Sequence, residues 1–178
     1  RQRGRLAEVA AEPEDPDPEY GWIVPGARAE DPFLHVASFV EKPHAARAEA
    51  LMRSGALWNS FIFVGTAARI VSLVRDAAPD LVRRFEATLG TDPEGAGPEA
   101  VARLYESLEA RNFSRDVLER SVEHLRLLVV PSCGWTDMGT PQKVVRHLAR
   151  RGFATAEGIR FPDGAGRARM AVAGHASF

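Results

Sequence analysis

The chain has 178 residues, 45% of them hydrophobic and 26% charged, with a formal net charge of −1. That suffices for one compact domain with a core, and the balanced charge, with no long run of one sign, excludes the basic stripe of a nucleic-acid-binding surface. One cysteine, Cys133, excludes a disulfide framework and a cysteine zinc site within one chain and fits a reducing, cytoplasmic setting, while no apolar run nears the ~20 residues that cross a bilayer.

Residues 1–11 read as a short helix or the tail of a strand. The acidic stretch 12–19 carries Pro13, Pro16 and Pro18, which fix φ and remove donors, so it reads as an extended loop. Tyr20 to Val24 is expected as a strand closed by Pro25-Gly26, and Leu34 to Val40 as a second, bounded by Asp31-Pro32 and Pro43. Ala45 to Ser54 is rich in helix formers and is stopped by Gly55. Ser60 to Val64 is aromatic and β-branched, hence a strand. Thr66 suits the N-cap of a helix with Ile70, Val71 and Val74 on its inward face. Pro79 breaks that helix, and the next carries Leu81, Val82, Phe85 and Leu89 before Gly90.

Residues 90–98 lack the preceding strand and the Lys-Ser/Thr of a phosphate-cradling loop, so they read as a connector. Pro98 opens a helix with Val101, Leu104, Tyr105 and Leu108. Ser114 is expected to cap a short helix over 115–121. Leu125 to Val130 is continuously apolar, as in a strand buried on both faces. Thr140-Pro141 sets an N-cap followed by proline at the first helical position, starting a helix that runs to Arg151 and stops at Gly152. Residues 153–178 are Gly/Ala/Arg-rich and read as a partly ordered tail. Strands alternating with helices predict an α/β sheet covered on both faces.

Four segments carry groups that suit chemistry: Tyr20-Gly21-Trp22-Ile23, Phe39-Val40-Glu41-Lys42-Pro43, Trp58-Asn59-Ser60 and Gly134-Trp135-Thr136-Asp137-Met138-Gly139. They are expected at strand ends and turns, where open α/β sheets collect their sites. In the second, Pro43 disfavours the α region for Lys42, and on an extended chain Glu41 and Lys42 face opposite ways. A carboxylate accepts from vicinal hydroxyls and an ammonium suits a phosphate; a solvated pair ending a strand is the plainer reading. Trp58 and Asn59 offer an aromatic face and an amide, or a buried tryptophan beside a turn residue. Asp137 sits between glycines ahead of a helix, suiting a hard cation such as Mg2+ or the cap of a turn. The five histidines show no metal spacing, and Cys133 reads as a small buried residue.

In this order the four segments resemble the sugar-phosphate nucleotidyltransferase family, and the first three are most similar to mannose-1-phosphate guanylyltransferases, over roughly residues 9–150. The resemblance implies a partial, Rossmann-like mixed sheet with helices on both faces, of the nucleotide-diphospho-sugar transferase type. It divides the chain into a sugar-phosphate-binding part, 1–152, and a tail, 153–178. It implies that Gly21 contacts the sugar through its backbone, Glu41 binds sugar hydroxyls, Lys42 binds the sugar phosphate, Asn59 touches the hexose, Trp135 shapes the phosphate end and Asp137 holds Mg2+, with Lys42 and Asp137 as the catalytic pair. The implied partners are a sugar-1-phosphate and a nucleoside triphosphate, mannose-1-phosphate and GTP, with no nucleic acid and no membrane; a homo-oligomer is compatible.

Two departures stand out. The family's Gly-x-Gly-Thr-Arg-Leu loop and a second metal-binding aspartate have no counterpart in this sequence, which opens Arg1-Gln2-Arg3. A fragment with slow or no turnover is therefore expected, and a non-catalytic sugar-phosphate-binding or regulatory homologue is the alternative. Phe61 stands where the family usually has glycine after Trp-Asn-Ser, a departure that bears on which sugar is accepted.

Overall fold

The structure, a computed structural model, describes residues 4–90, 97–155 and 158–159. In chain order its elements are β1 (Leu6–Ala11), β2 (Gly21–Arg28), β3 (Leu34–Glu41), α1 (Ala45–Arg53), β4 (Leu57–Val64), α2 (Ala67–Ala77), α3 (Pro79–Leu89) and α4 (Pro98–Glu106). A π-helical turn (Ser114–Leu118), β5 (Leu125–Val130), α5 (Pro141–Arg150) and the short β6 (Ala154–Thr155) and β7 (Gly158–Ile159) follow. The fold class is α/β. The chain divides into two compact units, Arg1–Cys133 and Gly134–Phe178.

In the first unit the five strands follow the order β1-β4-β2-β3-β5, and the ladder closes on itself through β1 and β5. β1 and β5 are parallel, and the other pairs are antiparallel. β1 lies between β4 and β5, so its inward residues are fully enclosed. Leu6, Ala10, Ile23, Phe39, Leu57, Leu73, Leu118, Leu125 and Leu127 form the core. Trp22 is fully buried, and its indole N–H donates to the carbonyl of Asp17 at 3.1 Å, which ties the proline-rich loop to β2.

Several helix ends follow the sequence closely. Thr66 and Thr140 accept from the N–H groups of Arg69 and Lys143, satisfying donors that every helix start leaves orphaned. Prolines occupy the first turns of α3, α4 and α5. Gly55, Gly90 and Gly152 stand at helix stops with positive φ, the conformation that lets a glycine accept a reversing chain.

Elsewhere the structure corrects the sequence. β2 does not stop at Pro25-Gly26 but runs to Arg28, with register shifts on either side of Pro25. Proline has no N–H for the ladder, and a bulge absorbs that loss. The inward face of α2 is Ile70, Leu73, Val74 and Ala77, and Val71 is exposed. Ser114 lies inside the π turn; the cap is Asn112, whose Oδ1 accepts from Arg115 N–H while Asp116 accepts from Asn112 N–H. Asn112 thus offers the shorter route to the first free donors. Cys133 is exposed, because β5 ends at Val130 and Pro131 takes the chain out of the ladder. The connector 90–98 and the tail 153–178 lie largely outside the described residues.

Candidate functional site

Gly21, Glu41 and Asn59 meet at one end of the strand ladder. Gly21 and Glu41 are cross-strand partners. The N–H of Lys42 donates to the carbonyl of Tyr20 at 3.2 Å, which makes Gly21–Glu41 a pair of the non-hydrogen-bonded kind, where side chains approach most closely. A Cβ on Gly21 would lie 2.9 Å from Glu41 Oε2, 3.1 Å from the Phe39 ring and 3.2 Å from Asn59 Cβ. Glycine therefore lets a carboxylate, an amide and a backbone strand share one small space. Gly21→Ala is expected to displace the Glu41 carboxylate and press on Phe39 and Asn59, costing about 1–3 kcal/mol of stability by overpacking. Denaturant unfolding reads that loss, and an unchanged midpoint would contradict it.

Asn59 sits inside β4 rather than at a turn, because β4 begins at Leu57 and a bulge opens between Asn59 and Ile62 opposite Val9/Ala10. Bulges re-aim side chains beside sites. Ser60 supports this one: its hydroxyl donates to the carbonyl of Val9 and accepts from Ile62 N–H. Asn59 Oδ1 accepts from Phe61 N–H at 2.7 Å, which assigns the amide orientation and leaves its NH2 as the donor end. Phe61 has φ +60. The backbone keeps the left-handed conformation that favours glycine, and the phenylalanine is accommodated by turning its 59%-exposed ring edge-on to Phe63 and Phe113.

Trp58 is not an open platform. It is 2% exposed and packs on Tyr20, with ring centroids 4.5 Å apart, and on Trp22 at 6.2 Å. Lys42 follows Glu41 but is not extended: its φ is +46, because the chain reverses between the end of β3 and Pro43. Its ammonium lies 3.5 Å from Glu19 Oε2 in an exposed pair, worth little by itself.

Sequence reading missed Glu119. Its Oε1 accepts from the backbone N–H of Glu41 at 2.5 Å, beside the site's own carboxylate. It follows the Ser114-Arg115-Asp116 stretch, and no spacing in the sequence points from it to Glu41.

Trp135 and Asp137 belong to the second unit. Trp135 is half-buried. Asp137 Oδ1 accepts from Gly139 N–H at 2.9 Å, and its Oδ2 lies 3.8 Å from Lys143 Nζ. A Cβ on Gly139 would come within 3.0 Å of Oδ2, so glycine permits this tight fold of the loop over its own carboxylate. Among the described residues no group of three His, Cys, Asp or Glu side chains could hold a metal by itself. Asp137 therefore fits a hard cation only as a single carboxylate that shares it with ligand phosphates, a common arrangement for Mg2+. Among the described residues no helix is long and apolar enough to cross a membrane.

Two other grooves of the described surface lie away from Gly21. One of about 400 Å³ runs between α3 and α4 past Arg84, Thr88, Arg103 and Ser107. Another of about 200 Å³ lies by Arg28, Asp31 and Phe33. Both lack the convergence of backbone, carboxylate and amide seen at Gly21.

The chain is 30% identical over 145 residues to mannose-1-phosphate guanylyltransferase ManC of Salmonella typhimurium, covering 77% of the chain and 29% of that protein. It is 27% identical to the mannose-1-phosphate guanylyltransferase of Escherichia coli K12, covering 78% of the chain and 30% of that protein. The chain thus spans under a third of the length of these curated relatives. Among solved structures, a Thermus thermophilus protein described as a mannose-1-phosphate geranyltransferase superposes with TM-score 0.59 at 27% identity, covering 72% of this chain and 36% of that one. A mannose-6-phosphate isomerase from Helicobacter pylori shares the fold, with TM-score 0.58 at 19% identity over 75% of this chain and 53% of that one. The sequence profile of the Nucleotidyl transferase family matches residues 1–150, and the chain belongs to that family.

Proposed function

We propose that this chain supplies the sugar-phosphate side of a nucleotidyl transfer in which an oxygen of mannose-1-phosphate attacks the α-phosphorus of GTP and pyrophosphate leaves. The observation that carries the reading is the junction of Gly21, Glu41 and Asn59, where a Cβ on Gly21 would meet both side chains within 3.2 Å. The Gly21 backbone approaches the sugar, Glu41 accepts from its hydroxyls, and the Asn59 NH2 donates to it. A carboxylate accepting from two neighbouring hydroxyls forms charge-assisted bonds, the stronger kind. Lys42, within reach of Glu19 but exposed, exchanges that weak surface pair for the sugar phosphate.

Such a reaction depends on in-line positioning and charge neutralisation rather than on a covalent intermediate. Asp137 is the residue that would hold Mg2+, and the ion when bound neutralises phosphate charge. Residues 1–152 are read as the sugar-phosphate-binding part and a cytoplasmic setting is inferred; the 30% and 27% identities to the two guanylyltransferases support the choice of sugar and base.

Calorimetry with sugar-1-phosphates tests the reading. Mannose-1-phosphate is expected to bind saturably and more tightly than glucose-1-phosphate. The reverse order would contradict the sugar, and no binding of either would contradict the site. Asp137→Asn is expected to weaken Mg2+-dependent GTP binding at least about tenfold, the scale set by losing even a ligand's supporting partner. Its melting temperature should stay unchanged, since an exposed loop carboxylate contributes little to the core. Parental Mg2+ and GTP affinity in that variant would remove the metal role.

A further inference from the structure

We infer that Glu119 is a positioning residue of the sugar-phosphate site, acting through the main chain of Glu41. The inference rests on the reading of Glu41 given above and adds a residue to it. β3 pairs with β5 at Leu34 and His35, and among the described residues the far end of β3 has no strand on that side. At Glu41 the ladder geometry turns the N–H away from β2, as the Lys42-to-Tyr20 bond requires. A strand-end donor with no strand partner needs another acceptor, and Glu119 Oε1 supplies it at 2.5 Å.

The acceptor is itself well held. Glu119 follows the π turn and donates its N–H to Ser114 O at 2.9 Å. Val117 and Leu118, at 4% and 0% exposure, anchor that turn in the core. Single π turns frequently mark functional sites, because the extra residue changes where the next side chain points. Here the next side chain crosses to the strand that carries the sugar-binding carboxylate. Immediately after Glu41 the chain enters the left-handed conformation of Lys42, so the Glu119 bond also holds the strand just before its reversal. A shift of Glu41 N–H would carry the carboxylate off Gly21.

The test reads the Glu41 amide directly by NMR in the wild-type chain, Glu119→Gln and Glu119→Ala, with mannose-1-phosphate affinity measured in parallel. In the wild type the Glu41 amide proton is expected far downfield and slow to exchange. Glu119→Gln keeps a carbonyl acceptor and should keep both properties, with affinity within about threefold of wild type. Glu119→Ala should lose both and weaken sugar-phosphate binding at least about tenfold, the scale of leaving a backbone donor without its acceptor. A fast-exchanging Glu41 amide in the wild type overturns the inference without need of any variant, as does an amide unchanged in Glu119→Ala. Equal affinity losses in Glu119→Gln and Glu119→Ala overturn it as well, since charge and not acceptance would then be the cause. If the wild type binds no sugar-1-phosphate, the functional reading fails, while the amide measurements still decide what Glu119 holds.

Discussion

Raising the pH from about 5 to about 8 is expected to destabilise the wild-type fold by roughly 3 kcal/mol more than it destabilises Glu8→Gln, by linkage between folding and proton binding. Glu8 lies on the central strand β1 at 0% exposure, and neither carboxylate oxygen has a hydrogen-bond partner among the described residues. It points to the same face as Leu6 and Ala10, toward Leu127 of the neighbouring strand. Burial pushes its pKa from the ordinary 4.5 up to about 8, with no cation as an offsetting cause. Below the ordinary value Glu8 is protonated in both folded and unfolded chains and costs nothing through ionisation. Between the two values the unfolded chain ionises and the folded one does not, so the unfolded state gains. Stability is therefore highest in acid, falls across that window, and levels off above about pH 8, as expected for a raised carboxylate pKa. Glutamine removes the titration and keeps the shape. Urea midpoints of both proteins at several pH values test this, and parallel curves would mean that Glu8 is not buried as described.

Glu41→Gln is expected to weaken mannose-1-phosphate binding about 10–100-fold, the range for hydrogen bonds to a charged group, and to leave GTP affinity within about twofold. The amide keeps the volume beside Gly21 and loses one acceptor and the charge. Because the Glu41 N–H still meets Glu119, the backbone should stay as it is. Calorimetry with each ligand separately reads the ordering. A larger loss for GTP than for mannose-1-phosphate would move Glu41 to the nucleotide side.

Much of this fold was legible because its signals were local. Proline at the first turn of a helix, threonine at the cap and glycine at the stop act within one turn of chain, and each sits where spacing predicts. What failed to read depended on partners distant in sequence. Pro25 looks terminal alone, but the bulge against β3 carries β2 past it. Trp58-Asn59 looks like a turn until β1 pairs with it. Glu8 is readable only if 6–11 is taken as a strand, since alternation then sets it with Leu6 and Ala10; a segment this short and alanine-rich left helix and strand both open. At the site, Gly21, Glu41 and Asn59 could be named from their motifs, whereas their meeting within one space required the β2–β3 and β2–β4 ladders. Glu119 carried no signal, because its bond is to a backbone atom 78 positions away.

Amide chemical-shift mapping during a mannose-1-phosphate titration tests the central claim most directly. Saturable shifts are expected, largest at Gly21, Glu41 and Asn59 and carried through to Phe61, whose N–H donates to Asn59 Oδ1. Saturable shifts centred on the groove of Arg84 and Arg103 between α3 and α4, with Gly21, Glu41 and Asn59 unmoved, would contradict it.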